Sequence, residues 1–418
     1  MKKNLLKPAI VLCLAVFTFA CSKEMIQNES TKTVTLGEPL LLTKSETIAL
    51  SVKQKGTYKI SKTEALEKLS RYAAARGNNA TIQISSTTLK TNPVTGKEMY
   101  YEVVFESEKG TGFSLVAADE RLDEILCFVE QGNLKDTLEL PMIQVYFRQM
   151  HAYIKDETSK ELDIHSLCES ANNKLSAEHP STKAIPPFDP NVWTFSHSKT
   201  VITGGVVTKS VPVKWGQKTF TAGAAGCSTI AVAQVMAYWK KNYKSIITSS
   251  TTWSAIISNY DHQTAITWLT DMYDELYNVM GISWLNVPPF MSELRSFMVR
   301  NGYTCGSVHS GYSFDVLQNA IRNFGPTIIS GVNIWELNGH CWVVDGINDQ
   351  RTQYIDVYTY NYNGTILVHE ELVAVTGGDH VQFNWGQYGQ WDGWYSSGVL
   401  SYNGNQFYDW VRIISSIN

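Results

Sequence analysis

Apolar positions first form one run, Ala9–Ala20, broken only by Thr18 and preceded by Lys2, Lys3 and Lys7. A basic start and an apolar run this short predict a secretory leader over residues 1–20, not a membrane span. Beyond it the pattern becomes periodic. In Thr57–Leu69, Ala65, Leu66 and Leu69 oppose Glu64, Glu67 and Lys68, which predicts a short amphipathic helix. Tyr100–Glu106 and Gly112–Ala117 alternate on either side of Ser107–Thr111, which predicts a β-hairpin. An Asp119–Arg121 corner leads to a strand over Ile125–Glu130, and Pro141–Lys155 reads as a helix. Ser176–Pro190 holds Pro180, Pro186, Pro187 and Pro190 without periodicity and reads as an exposed linker. The apolar run after Cys227 (Ile230, Ala231, Ala233, Met236, Ala237) predicts a buried helix, and Thr327–Val332 and His340–Ile347 predict buried strands.

Composition bounds the class. A chain of 418 residues, 44% hydrophobic and 18% charged, has room for two sizeable cores. The formal net charge is −4, and it becomes more negative once the leader lysines are lost. This gives no general attraction to nucleic acid or to an anionic bilayer. There is no P-loop, no Gly-rich dinucleotide turn and no paired CxxC, so neither an organic cofactor nor a metal is expected.

Cys21 follows the leader directly, and Phe17–Cys21 (FTFAC) resembles a bacterial lipobox with small Ala20 before the cysteine. Thr18 stands where such a signal usually has leucine. An acyl anchor on Cys21 and a polar tether over Ser22–Lys32 are expected, membrane contact being through that anchor alone. This places the chain in the cell envelope, on the outer membrane or the surface. Once Cys13 and Cys21 are set aside, Cys127, Cys168, Cys227, Cys305 and Cys341 remain. An odd number in an exported protein leaves at least one free thiol, and catalysis is one reason to keep it.

Cys227 is preceded by Gly223-Ala224-Ala225-Gly226 and opens the predicted helix. A helix N-terminus offers free N–H groups and partial positive charge, and both favour a thiolate. A structural cysteine at a helix start is the alternative. His340, opened by Gly339 at the head of a strand, is the candidate base, against the alternative of a core histidine. Asn384 is the candidate orienter of that imidazole, and Trp385 the candidate shield over the hydrogen bond. Gln217, ten residues before Cys227, would be the second oxyanion donor beside the Cys227 N–H.

Trp215-Gly216-Gln217, Gly226-Cys227 with Ala231–Gln234, Gly339-His340 with Val343–Gly346, and Asn384-Trp385-Gly386 stand in an order that resembles the streptopain-type, papain-like cysteine peptidases. Gly112–Leu134 is similar to the strand, Asp-Arg corner and strand of that family's propeptide. The resemblance implies an α+β fold: a propeptide domain followed by a papain-like domain with a helical part and an antiparallel sheet part. The implied division is leader 1–20, lipidated tether and propeptide start 21–56, inhibitory propeptide 57–175, linker with activation cleavage 176–205 and catalytic domain 206–418. It also implies a zymogen of a cysteine endopeptidase. Its partners would be protein or peptide substrates, an activating protease or self-cleavage, and a proteinaceous inhibitor, with the mature domain released outside the cell. The Gln217–Cys227 spacing is shorter than in streptopain relatives, and Cys341 stands where a small residue such as alanine is more familiar. The alternatives are another Cys–His hydrolase (a peptidoglycan amidase or a transglutaminase-like enzyme) and a non-catalytic binding or inhibitor lipoprotein.

Overall fold

The computed structural model describes residues 34–36, 42–75, 82–134, 141–178, 188–189, 192–217, 219–220, 223–224, 226–259, 261–280, 291–333, 338–362, 364–402 and 411–418. The expected leader, the Cys21 anchor and the Ser22–Lys32 tether lie outside them. Val34–Asn418 form one packing unit of α+β class, with mixed helices and mainly antiparallel sheets.

The first described helices are Lys44–Lys55 and Lys62–Ala75. The second starts at Lys62, not Thr57, because Ser61 and Glu64 make a capping box. Ser61 N–H donates to Glu64 Oε2 at 2.7 Å, and Glu64 N–H to Ser61 Oγ at 3.3 Å. Thr57–Ile60 instead lies along the Asp-Arg corner, with Ile60 N–H on the Ala118 carbonyl at 3.0 Å and Glu120 N–H on the Tyr58 carbonyl at 2.8 Å.

Four antiparallel strands follow: Gln83–Thr91, Glu98–Ser107, Gly110–Ala117 and Ile125–Val129. The expected hairpin and strand are among them. The last strand, ILCFV, is buried at every position, so both of its faces and its free edge need cover. Gly393–Ser396 supplies that edge, pairing Gly393 with Val129, Trp394 with Phe128 and Tyr395 with Cys127. The sheet then runs on through His380–Asn384, Asn338–Asn348, Thr327–Asn333, Arg412–Ile414 and Val308–Ser310. With Val206–Thr208 beside Asn338–Asn348 it has 11 strands among the described residues. The N-terminal and C-terminal parts of the chain thus share one hydrogen-bonded sheet.

Strand alternation sorts residues between the faces of this sheet. Cys341 and Val343 join the apolar core built on the buried helix Cys227–Trp239. Trp342 and Val344 join the other core, which includes Ile143, Tyr146 and Met150 of the helix Pro141–Glu157.

A second sheet changes the expected linker. The helix Ile164–Glu178 extends into it, and Thr194–Thr203 is a strand. That strand pairs antiparallel with Arg351–Tyr362, which forms a hairpin with Thr365–Gly377. Val34–Leu36 adds to its other edge. Val201 packs against the core formed by Leu50, Ala171, Leu175, Ile355, Leu372 and Val375, which gives this segment a reason to order. Among the described residues, the part of the expected linker without regular structure reduces to Phe188, Asp189, Val192, Trp193, Gly204 and Gly205.

Candidate active site

Cys227 is the first residue of its helix. Gly226 before it adopts φ +73°, a backbone state that favours glycine, and so turns the chain sharply into the helix. The next ten residues, Ser228–Ala237, are all buried, which fixes the helix rigidly in its core. Cys227 is half-buried as a residue, but its sulfur is enclosed. Burial raises the thiol above its ordinary pKa. The polar groups of Cys341, Ser228 and Cys227 around the sulfur offset part of that rise. Enclosure outweighs them, so the thiol is protonated at neutral pH.

The segments that carry Gln217 and Asn384 converge on this helix. Gln234 Nε2 donates to the Trp215 carbonyl at 3.1 Å, two residues before half-buried Gln217. A Cβ on Gly386 would lie 3.0 Å from Ile230 Cγ2 and 3.8 Å from the Trp215 oxygen. A Cβ on Gly216 would strike the Tyr388 ring at 2.3 Å. Asn384 pairs in register with Val343 and thus faces the Cys227 side. Its Oδ1 accepts from Gly386 N–H at 3.1 Å, while its Nδ2 is buried without a partner.

His340 is placed otherwise than expected. Two positions before Trp342 on one strand, it points to that residue's face, away from Cys227 and Asn384. It is 4% exposed, not open to a reactant. Its ring lies over Trp342 at 5.8 Å and 13° and over Trp385 at 6.1 Å and 25°. Its Nε2 is 3.0 Å from the Trp385 carbonyl, an acceptor, so this nitrogen carries the proton. The expected His340–Asn384 bond is not made. The reason is parity: on a regular strand, the residue delivered to the thiol is Cys341. Cys341 is 1% exposed, and it supplies one of the polar groups around the Cys227 sulfur.

Trp385 does pack with His340, although not as a shield over an Asn–His bond. Trp385 N–H donates to Asp392 Oδ1 at 2.9 Å, and its Nε1 donates to the Tyr395 hydroxyl at 3.0 Å. That hydroxyl donates to the Trp391 carbonyl at 2.7 Å, and the Tyr395 ring meets Tyr146 edge-on at 5.0 Å. Tyr146, on the helix Pro141–Glu157, thereby reaches His340 through two aromatic rings. Not expected from the sequence were Tyr146, Ser228 and Tyr277, whose hydroxyl lies against Gly226. Ser228 adjoins the cysteine and was findable as a helix-mouth hydroxyl. The tyrosines had no motif around them.

Burial pushes the His340 pKa down to about 4, from an ordinary 6.5. His380 is shifted the same way by burial, with its Nε2 2.7 Å from the Ile125 carbonyl. A pKa lowered by folding gives stability that is present above the unfolded value and is lost as pH falls through the folded one. For His340 that window runs from 6.5 to about 4, with a loss of roughly 2 kcal/mol expected by pH 5. The urea midpoint of the whole chain is expected to fall between pH 7.5 and pH 5. An unchanged midpoint would contradict a buried neutral His340.

Among the described residues no cluster of His, Cys, Asp or Glu is arranged to hold a metal ion. Cys127, Cys168, Cys227, Cys305 and Cys341 are all free thiols. No curated protein matches the chain. The family model for the Spi protease inhibitor matches residues 57–154, which take in the segment beside the Asp-Arg corner, the helix Lys62–Ala75, the four N-terminal strands and Tyr146 on the helix Pro141–Glu157. Residues 57–154 are similar to a streptopain propeptide, which sets the chain in the context of a cysteine peptidase precursor.

Proposed function

We propose that the protein is the latent precursor of an exported cysteine endopeptidase, with Cys227 as nucleophile and residues 57–154 at the heart of its inhibitory propeptide. One observation carries the reading: an enclosed thiol on the first turn of a buried helix, ringed by polar groups, in a chain whose N-terminal part matches a protease-inhibitor family. In the active form His340 would cross to the Cys227 face and take the thiol proton. The thiolate would attack a peptide carbonyl, with the oxyanion held by the Cys227 N–H and Gln217. His340 would protonate the leaving amine, then activate water to hydrolyse the thioester. Asn384, whose buried Nδ2 now lacks a partner, already faces that side and would orient the imidazole through its Oδ1.

The crossing is local. His340 is the third residue of the strand Asn338–Asn348, so freeing the strand's first turn of pairing suffices to change its face. Release of Tyr146 from Tyr395 would loosen Trp385, which now holds the ring. A lipid on Cys21 would tether the precursor, and cleavage in the linker would free the catalytic part from it. Thr194–Thr203 is zipped into the Arg351–Tyr362 hairpin and would stay with the catalytic part.

The separation of His340 from the thiol also favours a second reading, a non-catalytic binding or inhibitor protein with a structural cysteine. Incubation with an activating protease, followed by an assay on denatured protein substrate and N-terminal sequencing, distinguishes them. The endopeptidase reading expects hydrolysis that Cys227→Ala abolishes, and a mature N-terminus before Thr194. Full processing without hydrolysis would favour the binding protein.

A further inference from the structure

The helix Gln263–Tyr273 runs on into a π-helical turn, Asp274–Val279, closed by Met280 N–H on the Glu275 carbonyl at 2.9 Å. A π turn is a strained interruption of a helix and often marks a functional position. Met272 and Leu276 are fully buried and anchor the turn. Tyr277 is only half-buried and stacks on Tyr273 at 4.7 Å and 17°. The turn thus presents one aromatic side chain out of a fixed base.

The Tyr277 hydroxyl lies against Gly226, the residue before the thiol. A Cβ there would come within 2.4 Å of the hydroxyl oxygen and 2.7 Å of Cζ. Ser228, on the first turn of the helix, is among the groups that act on the phenol. Ser228 acts on the Cys227 sulfur as well, and the Tyr277 phenol and the Cys227 thiol act on one another. Burial keeps the phenol protonated and neutral, shifting it far above its ordinary range. A neutral oxygen against Gly226 at the mouth of the helix, beside the nucleophile, resembles what a substrate carbonyl would present there.

We propose that Tyr277 gates the Cys227 site: its hydroxyl fills the place at the helix mouth that the substrate's carbonyl oxygen must take. This rests on the endopeptidase reading for the identity of the substrate, but the gate itself is a property of the thiol's surroundings. It is separate from the withdrawal of His340, because Tyr277 belongs to the C-terminal part and would persist after the propeptide leaves. Substrate then has to displace the phenol before its carbonyl oxygen can reach the Cys227 N–H and Gln217.

The test is the rate at which iodoacetamide alkylates Cys227 in the full chain, read by peptide mapping, for Tyr277→Phe and Tyr277→Ala. Tyr277→Phe keeps the ring and removes one hydrogen-bonding group, so about a fivefold faster rate is expected. Tyr277→Ala removes the ring and is expected to raise the rate tenfold or more. After processing, kcat/KM of both variants is expected to rise. Near-UV circular dichroism checks that each variant is folded, and Tyr277→Phe guards against failure of Tyr277→Ala to fold. Unchanged alkylation in a folded variant would overturn the gate. So would a fall in kcat of about 10²–10³ for processed Tyr277→Phe, which would make the phenol an oxyanion donor instead. If the processed parent hydrolyses nothing, the endopeptidase reading fails, while the alkylation rates still decide the gate.

Discussion

Replacement of His340 by alanine or phenylalanine is expected to abolish hydrolysis by the processed protein while leaving the thiol of the full-length chain as it was. The first half follows from the chemistry: loss of the only base in a Cys–His pair costs on the order of 10⁴-fold or more in kcat. The second half follows from geometry. His340 lies on the far face of its strand, with Trp342 and Trp385, and its Nε2 is committed to the Trp385 carbonyl. It therefore exerts no influence on the Cys227 sulfur in the latent chain. His340→Phe refills the space between the two tryptophans and keeps the latent packing, so its Cys227 alkylation rate at neutral pH should match the parent within about twofold. A large fall in that rate would show that His340 already sustains a thiolate in the precursor, against the placement described above.

The second large effect concerns the junction of the sheet. The strand Ile125–Val129 pairs with Gly393–Ser396, so cleavage of the linker would leave the proposed propeptide hydrogen-bonded to the proposed catalytic part. Gly393 is there because the strands come close: a Cβ would lie 2.5 Å from the Phe128 carbonyl oxygen and 3.0 Å from Val129 Cα. Gly393→Ala must push the two strands apart. Overpacking of this kind costs ~1–3 kcal/mol, which corresponds to a roughly 5- to 150-fold weaker hold on the cleaved propeptide. Gel filtration of the processed protein checks it. The parent should elute with its propeptide fragment bound, and Gly393→Ala should lose it at lower protein concentration. Equal retention would mean that the sheet junction contributes little to latency.

Much of this was legible in the sequence. The hairpin around Ser107–Thr111, the strand after Asp119–Arg121 and the helix from Pro141 follow from alternation and turn chemistry, which are local. So does the buried helix at Cys227, whose ten following buried positions mirror its apolar composition. The face of His340 was not legible. His340 and Cys341 are adjacent, and a strand sends them to opposite sides. Which side meets the helix depends on pairing with Thr327–Asn333 and His380–Asn384, and that pairing is set at long range. The strand Thr194–Thr203 was hidden for a similar reason. Its partner, Arg351–Tyr362, lies far along the chain, and the prolines just before it suggested a linker. Tyr277 carries no signal at all in the sequence, because its importance comes from a π turn and from the absence of a side chain on Gly226.

The central claim is that Cys227 is a nucleophile held latent, and reaction with an epoxide inhibitor of cysteine peptidases tests it most directly. Full-length and processed chains would be treated in parallel and the adducts mapped by peptide mass spectrometry. The account predicts little adduct in the full-length chain and one stoichiometric adduct on Cys227 after processing, with loss of hydrolysis in proportion. A processed chain that leaves Cys227 unmodified, or that takes the adduct on Cys341, would contradict it.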